Sequence, residues 1–559
     1  MGQKILKLFI ERGFLLDKEM LDFLSELRDE DVAKEIINKI AVVSQKKVIT
    51  KNLINENIEK IKPVFYELDS ERKKLVERFF VNVSISVEVK KEVKVENDDL
   101  GNEKNLEGFV KIISSPVLAS QKLEVRDFVR HFRNRYVFLK KILQQRPELE
   151  GLTSIDKISG NRGFSIIGIV TTKSITKNKN IILEVEDLTG KVKVLINQNK
   201  EDVFEKAKEI LLDDVVGFKC SGSRDFLFVN DLFYPDCFLD KKHMSDKETY
   251  ALFISDIHVG SYNFLEENFN RFIDWLGGKN SNEQQKEILS KIKYLFVVGD
   301  SIDGVGAYPG QEKGLKIKDI IEQYKKLAGF YKKIPKSISI IQCAGQHDAV
   351  RVAEPQPPIG EDFAQPLHEI KNLYLVSNPS LVEIDSNNSK FDKGIRVLMY
   401  HGASMHSVIN EIEDLRLNNA HSTPARVVKH LLLRRHLAPS HGNVVYIPDA
   451  REDSMLIREV PDVVTTGDLH KVDIDKYNGV LIISNSCWQS ITAYEEKLGN
   501  KPDYCKVPML NLKTGEIKIL DFFDEDDSEI KKETCREIKN VKEGDKTKKE
   551  IICEVREKK

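Results

Sequence analysis

The sequence predicts a multidomain α/β protein, and three observations carry that prediction. The chain has 559 residues, which is more than one hydrophobic core usually serves. Its beginning repeats apolar residues at helical spacing, whereas a middle stretch alternates apolar with polar residues, as half-buried strands do. A later stretch alternates short apolar runs with helical patterns, which is typical of strands buried on both faces. The predicted regions are a helical N-terminal region (1–80), a charged linker (81–110), a helical connector (111–159), a β-barrel (160–240), a layered α/β domain (248–523) and a charged flexible tail (524–559).

The composition narrows the functional class. Lysine and arginine number 87 and aspartate and glutamate 89, so any affinity for nucleic acid must come from local basic patches. The seven cysteines form no C-x-x-C pair, which argues against a zinc ribbon or a disulfide framework and suits a reducing compartment. Since no run of about 18 apolar residues occurs, we expect a cytoplasmic protein without a membrane partner.

The helical connector carries a basic face in the stretch LEVRDFVRHFRNRYVFLKKIL. Such a face could follow a phosphate backbone. It could equally be the solvated side of a helix that leads into the next domain.

The predicted barrel contains five short strands, with one helix-like insert after the third strand. A tight hairpin turn is expected at Asp187–Gly190, between two alternating runs. This order is typical of an OB-fold barrel, and such barrels often bind single strands through aromatic residues and a basic groove. Because these strands hold few aromatic residues, a packing or docking role is an equal alternative.

Short polar motifs follow the apolar runs of the layered domain. The predicted strands are 250–254, 294–298, 338–341, 397–400 and 480–483, and the segment PDVVTT precedes one more motif. Open α/β sheets place their ligands at the carboxyl ends of strands, so we expect these motifs to converge. The candidate residues are Asp256, His258, Asp300, Gln346, His347, Asp348, His401, Asp468 and His470.

The chemistry of these side chains points to metal ions. Carboxylate and imidazole together suit Mn²⁺, Zn²⁺ or iron, and Mg²⁺ is a further possibility. The candidate residues therefore predict a site for divalent metal ions.

The ordered motifs resemble those of the calcineurin-like metallophosphoesterase family, whose signature is D-x-H, G-D-x-x-D, G-N-H-[DE], H and G-H-x-H. The resemblance implies that one metal is held by Asp256, His258, Asp300 and His470. It also implies that Asp300 bridges to a second metal held by Gln346, His401 and Asp468. The resemblance thus implies two divalent ions, with Mn²⁺ as the first choice, and two ions about 3.5–4 Å apart can activate a water and clamp phosphate oxygens. His347 would stabilise developing charge or protonate the leaving oxygen, and Asp348 would orient it.

Two positions depart from that signature. Gln346 stands where the family has asparagine, and Asp468 stands where the first histidine of G-H-x-H is expected. Both replacements keep a donor atom, as a retuned site would, but they would also fit early steps in the loss of activity. A carboxylate at position 468 adds negative charge and favours harder ions such as Mn²⁺.

Further motifs resemble the B-subunit family of DNA polymerases, in particular the small subunits of archaeal family-D polymerases. They are FISDIHVGS, GQHDAVRVAEPQPP, LLRRHLAP and NSCWQ, and the resemblance covers about 160 to 523. It implies a 3′→5′ proofreading exonuclease that acts on single-stranded or frayed DNA ends, in complex with a large catalytic polymerase subunit. Arg351, Arg434 and Arg435 are the candidates for contacting DNA phosphates, and the last two could instead meet the partner.

Two other interpretations stay open. One is a catalytically weakened scaffold subunit that connects the large subunit to its partners. The other is a free-standing phosphatase or nuclease, against which the EPQPP and RRHLAP stretches count.

The end of the layered domain holds a possible partner motif. Residues Glu516–Phe523 have the Ile-x-x-Phe-Phe spacing of a sliding-clamp box, but glutamate replaces the expected glutamine. The preceding MLNLKTGEIKIL is typical of a hairpin, which would make this segment a closing strand instead. Trp488 in NSCWQ is predicted to be a core residue, with base stacking as the alternative.

Overall fold

The chain divides into two compact units, residues 1–103 and 104–559. The computed structural model describes residues 109–523, apart from 119–121, 160–162, 280, 387–393, 450, 493–495 and 497–500, together with residues 15–16 and 48–49. In the first unit, β1 (Leu15–Leu16) and β2 (Val48–Ile49) pair in parallel. The predicted N-terminal helices (1–80) otherwise lie outside the described residues, as do most of the linker and the tail.

The first described strand of the second unit lies where the sequence predicted a linker and a helical connector. Residues Val110–Ser114 form β3, which pairs antiparallel with a strand at 380–384. This corrects the prediction for the beginning of the connector. The segment is too short to show a clear period, and its partner lies far along the chain, so local spacing could not identify it. The rest of the connector contains the predicted helix, α1 (Val125–Leu143).

Helix α1 buries part of its basic face. Arg135 is 4% exposed, and its Nε lies 2.7 Å from Oδ2 of Asp453. Tyr136 donates a hydrogen bond of 3.0 Å to the carbonyl of Ile167, in the first barrel strand. Both contacts hold α1 against the rest of the unit, so Arg135 belongs to the interior and not to a solvated face.

The middle of the chain forms the closed five-stranded barrel that the alternating pattern predicted. The elements are β4 (Phe164–Ile175), β5 (Ile181–Glu186), β6 (Lys191–Ile196), α2 (Glu201–Lys208), β7 (Val215–Ser223) and β8 (Phe226–Phe233). The strand order around the barrel is β4-β5-β6-β8-β7. The predicted turn is present, because Oδ1 of Asp187 accepts hydrogen bonds from the backbone of Thr189 and Gly190, at 2.7 and 3.0 Å.

The remaining elements alternate strands with helices, as predicted. The strands are β9 (Tyr250–Ile254), β10 (Ile292–Val298), β11 (Ser339–Cys343), β12 (Leu373–Val376), β13 (Ser380–Ile384), β14 (Ile395–Met399), β15 (Val463–Thr466), β16 (Asp473–Tyr477), β17 (Val480–Ser484), β18 (Lys506–Asn511) and β19 (Ile517–Asp521). The helices are α3 (Glu266–Leu276), α4 (Glu283–Lys291), α5 (Ile320–Tyr331), α6 (Glu361–His368), α7 (Met405–Glu411), α8 (Glu413–Leu417) and α9 (Pro424–Arg434).

Two six-stranded sheets form the centre of this region. Their strand orders are β12-β11-β10-β9-β18-β19 and β16-β17-β15-β14-β13-β3. In the first sheet β9, β10, β11 and β12 run parallel, and in the second sheet β14, β15 and β17 run parallel. Parallel strands put their carboxyl ends at one edge, which is the edge that the polar motifs follow.

One hydrophobic core lies between the two sheets. Each sheet also forms a further core with the helices that cover its other face. Phe253 and Phe296 stack in the core between the sheets, with ring centroids 5.1 Å apart, and Val397 and Met399 of the second sheet belong to the same core. Leu252 and Ile254 point the other way, into the core formed with α3, α5 and α6. Both faces of β9 are therefore covered, as its continuous apolar sequence predicted.

The possible clamp motif is part of the first sheet. Its residues form β19, which pairs antiparallel with β18 as the closing strand of a hairpin. Phe522 is 3% exposed and packs against Phe272 and Trp275. The structure therefore confirms the closing strand, and the burial of Phe522 counts against the clamp motif, because a box that docks into a clamp must present its aromatic residues to solvent. Trp488 is fully buried beside Phe269, which confirms the prediction of a core residue.

Within the described part of the chain, no helix has the length and apolar character needed to cross a membrane.

Candidate metal centre

The polar motifs of both sheets meet at one edge of the layered region. Asp256 follows β9, Asp300 follows β10 and Gln346 follows β11, all in the first sheet. His401 follows β14, and the motif with Asp468 and His470 follows β15, both in the second sheet. The centre is therefore assembled from five strand ends of two separate sheets.

The backbone at this edge is unusual. Five candidate ligands have left-handed φ angles, which are Asp256 (50°), His258 (53°), Asp300 (47°), Asp468 (65°) and His470 (52°). For residues with a side chain this conformation costs about 1–2 kcal/mol each. Such strain is kept where the surrounding structure enforces it, and it collects at functional sites.

Glycines allow the strand ends to approach closely. A Cβ atom on Gly299 would lie 2.2 Å from Nδ1 of His401, and one on Gly345 would lie 2.2 Å from Oδ1 of Asp300. A Cβ atom on Gly467 would lie 2.6 Å from Oδ2 of Asp256. Real Cβ contacts are longer than this, so any side chain at these three positions would displace a candidate ligand.

The first half of the centre is formed by Asp256, His258 and His470. Oδ1 of Asp256 lies 3.3 Å from Nε2 of His470 and 4.0 Å from Nε2 of His258. Atoms that each lie about 2.1 Å from one ion are about 3–4 Å from one another. These three donors thus have the spacing of ligands that share an ion, and they form one of three potential metal-binding groups among the described residues.

The second half is formed around His401. Its Nε2 lies 3.2 Å from Oδ2 of Asp300, 3.9 Å from Oδ1 of Asp256 and 3.8 Å from Oδ1 of Asp468. Gln346 is adjacent, because its Nε2 donates a hydrogen bond of 3.3 Å to Oδ1 of Asp468. The structure brings all seven predicted ligands together in this way.

Fixed tautomers point the histidines at the centre. Nδ1 of His258 lies 3.1 Å from Oδ1 of Asp303, and Nδ1 of His401 lies 2.8 Å from the carbonyl of Val298. These contacts leave Nε2 of each ring for an ion. Nδ1 of His347 lies 2.7 Å from the carbonyl of Asp303. Asp303 therefore positions two imidazoles, a role that the sequence analysis did not assign, although it is the second aspartate of G-D-x-x-D.

Unpaired buried atoms provide a direct test of whether metal ions fit. Among the described residues, Nε2 of His258, Nε2 of His401 and Oε1 of Gln346 are buried without a hydrogen-bond partner. An unsatisfied buried polar atom costs about 1–3 kcal/mol, and three in one place would be destabilising without a ligand. The residues present fit divalent ions.

The carboxylates and imidazoles of the centre shift each other's pKa values. Burial acts to lower the pKa of His401, but Asp300 and Asp256 raise it well above its ordinary value, so an ion that binds here would have to displace that proton. Burial raises the pKa of Asp256, but the His470 and His401 imidazoles outweigh it and lower this pKa below its ordinary value. Burial also acts to raise the pKa of Asp300, yet His401 and His347 hold it far below the ordinary value. Both carboxyl groups are therefore ionised although they are buried, which is the form that binds metal.

Asp348 has a structural role, which corrects the predicted catalytic one. Its carboxylate accepts hydrogen bonds from the Ser301 hydroxyl at 2.6 Å and from the Gly345 backbone at 2.9 Å. Tyr324 donates a third hydrogen bond, of 3.3 Å. Asp348 thus ties the loop after β10 to the loop after β11, whereas Nδ1 of His347 is held by the Asp303 carbonyl instead.

The chain is similar to known subunits of DNA polymerases. Residues 251–473 match the family model that describes the B-subunits of DNA polymerases alpha and epsilon. The DNA polymerase II small subunit of Methanothermobacter thermautotrophicus is 37% identical over 400 residues, which are 71% of this chain and 80% of that protein. The one from Archaeoglobus fulgidus is 30% identical over 503 residues, 89% of this chain and 93% of that protein. The chain belongs to the family of archaeal family-D DNA polymerase small subunits.

The chain is also similar to a longer small subunit and, more weakly, to two solved structures. The small subunit from Pyrococcus furiosus is 37% identical over 405 residues, and the match covers 64% of its length. A solved archaeal phosphodiesterase matches 48% of this chain and 98% of its own, with 13% identity and a TM-score of 0.23. The Vps29–zinc complex from Entamoeba histolytica matches 52% and 98%, with 12% identity and a TM-score of 0.24.

In this member of the family, Arg434 is not available to DNA, which corrects the predicted role. Its side chain is 2% exposed, and its Nε lies 3.0 Å from Oδ1 of Asp214, next to the barrel strand β7. It also donates to the carbonyl of Glu209. Arg434 therefore joins α9 to the barrel through a buried ion pair.

The other two predicted DNA-binding arginines also bind backbone. Arg351 donates to the carbonyls of Leu118, Ala353 and Pro355, at 2.6, 3.3 and 2.7 Å. Arg435 donates to the carbonyls of Ile457 and Arg458, at 3.0 and 2.9 Å. Both side chains are half-buried, so their donors serve the protein interior first.

The EPQPP stretch braces the centre, which sequence reasoning missed. Gln356 donates to the carbonyl of Gly345 at 3.1 Å and accepts a hydrogen bond of 2.8 Å from Asn378. Asn378 in turn accepts a hydrogen bond of 2.9 Å from the backbone of His401. This chain of contacts links the loop after β11 in one sheet to the loop after β14 in the other.

Proposed function

We propose that this chain is a metal-dependent phosphodiesterase subunit that removes nucleotides from 3′ ends of single-stranded or frayed DNA, in a proofreading role. The observation that carries the proposal is the convergence on one centre of the buried unpaired atoms of His258, His401 and Gln346. The direction of cleavage and the DNA substrate follow from the family resemblance. In fold terms, we propose an OB-fold barrel followed by a calcineurin-like metallophosphoesterase domain.

Two divalent ions would occupy the two halves of the centre. Asp256, His258 and His470 would hold one ion, Gln346, His401 and Asp468 would hold the other, and Asp300 would serve both. Bound ions would activate water and withdraw charge from the phosphate oxygens. We propose Mn²⁺ as the first choice because carboxylate and amide oxygens dominate the second half.

His347 would act on the leaving oxygen. The Asp303 carbonyl holds its Nδ1 at 2.7 Å, and its backbone N–H donates to Oδ1 of Asp300 at 2.8 Å. Ring and backbone are therefore fixed relative to the bridging carboxylate. Nε2 is left to give a proton to the 3′ oxygen of the nucleotide that stays on the strand.

Tyr308 would contact the terminal base. Its side chain lies on the loop between Gly304 and Gly314, is 42% exposed, and approaches His347 edge-on with ring centroids 6.1 Å apart. An exposed aromatic ring beside the reacting phosphate offers a stacking surface that accepts any base. Such tolerance suits an enzyme that removes whichever nucleotide is mispaired.

The large catalytic subunit of a DNA polymerase is the proposed partner. The curated relatives carry the name small subunit, and the barrel and α1 pack on the layered region as one unit. Co-purification of the chain with a family-D large subunit tests this directly. Failure to form a stable complex would remove the partner but leave the hydrolase proposal standing.

The activity test compares the full chain with two variants on DNA labelled at its 5′ end. With Mn²⁺ or Mg²⁺, the wild type should shorten single-stranded DNA one nucleotide at a time, whereas Asp300→Ala and His401→Ala should not. Asp231→Ala, on the barrel surface, is the control. Absence of metal-dependent shortening, with and without the large subunit, would sink the proposal. Shortening that survives both variants would indicate a contaminant.

A scaffold without hydrolytic activity is the second candidate, and one contact favours it. The amide of Gln346 donates to Asp468 at 3.3 Å, so the two departures from the family signature satisfy each other in part without an ion. The double variant Gln346→Asn with Asp468→His separates the two candidates. A large gain in hydrolysis would favour the scaffold for the natural chain, and little change would favour a working centre.

A further inference from the structure

Asp468 faces two different surroundings with its two carboxylate oxygens. Oδ1 accepts the hydrogen bond from Gln346 and lies 3.8 Å from Nε2 of His401, inside the centre. Oδ2 is buried and lacks a hydrogen-bond partner among the described residues, yet Nε2 of His406 lies only 3.4 Å away. Asp468 is thus placed between two imidazoles, one inside the centre and one outside it.

Both imidazoles come from a single rigid turn. His401 is fully buried, whereas the side chain of His406, at the start of α7, is 42% exposed. Gly402 has a φ of 129°, and a Cβ atom there would lie 3.2 Å from Cβ of Asp468, so the turn packs directly on this residue. The Ser404 backbone donates to the Tyr400 hydroxyl at 3.0 Å and fixes the turn further.

The carboxylate of Asp468 changes the charge of the centre and needs to be held in one direction. A carboxylate at position 468 adds a third negative charge to those of Asp256 and Asp300, where the family signature has a neutral imidazole. It also has two oxygens, so its direction must be set by a second contact. A donor that binds the oxygen pointing away from the ion solves both problems, and metal ligands in proteins are commonly oriented in this way.

We propose that His406 is the positioning residue of the second metal site. Its Nε2–H donates to Oδ2 of Asp468 and holds Oδ1 toward the ion, so that Asp468 and His406 together replace one histidine of the family signature. His421 supports the ring of His406 from the side, with centroids 5.3 Å apart. This inference rests on the proposed function, because it requires a second ion.

Metal titration of the full chain tests the pair. Binding of Mn²⁺ is followed by calorimetry and by electron paramagnetic resonance in the wild type, His406→Ala, Asp468→His and the double variant. His406→Ala should weaken the second ion by about 10- to 100-fold and leave the first ion unchanged. In the Asp468→His background the same change should matter by less than about twofold, because no carboxylate needs orienting. His406→Gln, which keeps a donor, should restore most of the affinity.

A matched control lies elsewhere in the chain. Nδ1 of His243 lies 3.0 Å from Oδ2 of Asp462, which is the same type of pair outside the centre, so His243→Ala should leave Mn²⁺ binding unchanged. Unchanged affinity for the second ion in His406→Ala would overturn the inference, and so would an equal loss in both backgrounds. A wild type that binds fewer than two ions would overturn the proposed function instead.

Discussion

The two halves of the metal centre are built differently. The half around Asp256, His258 and His470 keeps the residue types of the family signature, and its donors are held by buried contacts. The half around Gln346 and Asp468 carries both departures, and these two residues contact each other. Both departures from the signature thus fall on side chains that contact each other, so that one ion site is altered while the other keeps the residue types of the family.

The largest effect is expected from the unaltered half. His258→Ala removes a buried ligand, and we expect it to reduce hydrolysis by more than about 100-fold, beyond what loss of an orienting contact costs. Gln346→Ala should cost less, since Asp468 and His401 stay in place. Initial rates on single-stranded DNA and the number of bound Mn²⁺ ions measure both. Equal losses would show that the two halves are not different in strength.

A glycine between the halves gives the next largest effect. Gly345→Ala would put Cβ 2.2 Å from Oδ1 and 2.5 Å from the backbone nitrogen of Asp300, so we expect a loss of about 1–3 kcal/mol of stability together with weaker binding of both ions. Denaturant unfolding without metal and Mn²⁺ titration measure these quantities. Gly329→Ala is the matched control, because it lies in α5 with nothing within 4 Å and should be stabilising by up to about 1 kcal/mol.

The altered half should set the metal preference. In Gln346→Asn with Asp468→His, an imidazole replaces a carboxylate, so the preference of the second ion should move from Mn²⁺ toward Zn²⁺ by about tenfold. Competition titrations with the two ions measure the ratio, and the first ion is the internal control. No change in the ratio would mean that the two departures do not tune the metal.

A pH-dependent effect is expected from the EPQPP stretch (354–358), which braces the two halves. Glu354 is 1% exposed, and burial raises its pKa to about 8, while in the unfolded chain it is about 4.3. Between these values the folded state holds one more proton than the unfolded state. Stability should therefore fall as the pH rises through this window, by up to about 1.4 kcal/mol per pH unit.

The variant Glu354→Gln carries no such proton and should flatten this dependence. Denaturant unfolding in the presence of a chelator, at several pH values from 5 to 8, gives the slope. Glu312→Gln, at an exposed position in the loop that bears Tyr308, is the control. The same slope in wild type and Glu354→Gln would show that another group titrates there.

Much of this site follows from local sequence, and the rest depends on distant partners. Apolar runs followed by Asp256, Asp300 or His401 could be predicted, because a buried parallel strand fixes where its last residues lie. The role of Arg434 could not be predicted in this way, because its partner Asp214 belongs to another region of the chain. Asp348 was misassigned for the same reason, as its hydrogen bond to Ser301 is set by how neighbouring strands align. Strand β3 also depends on a remote partner.

The origin of the ligands in two separate sheets has a mechanical consequence. Sheets pack about 10 Å apart, and the side chains between them determine that spacing. Here Phe253 and Phe296 of one sheet face Val397 and Met399 of the other. These four side chains therefore act as a spacer that sets how far Asp256 and Asp300 lie from His401 and Asp468. A change of volume in this apolar layer would alter the distance between the ions without replacing any ligand.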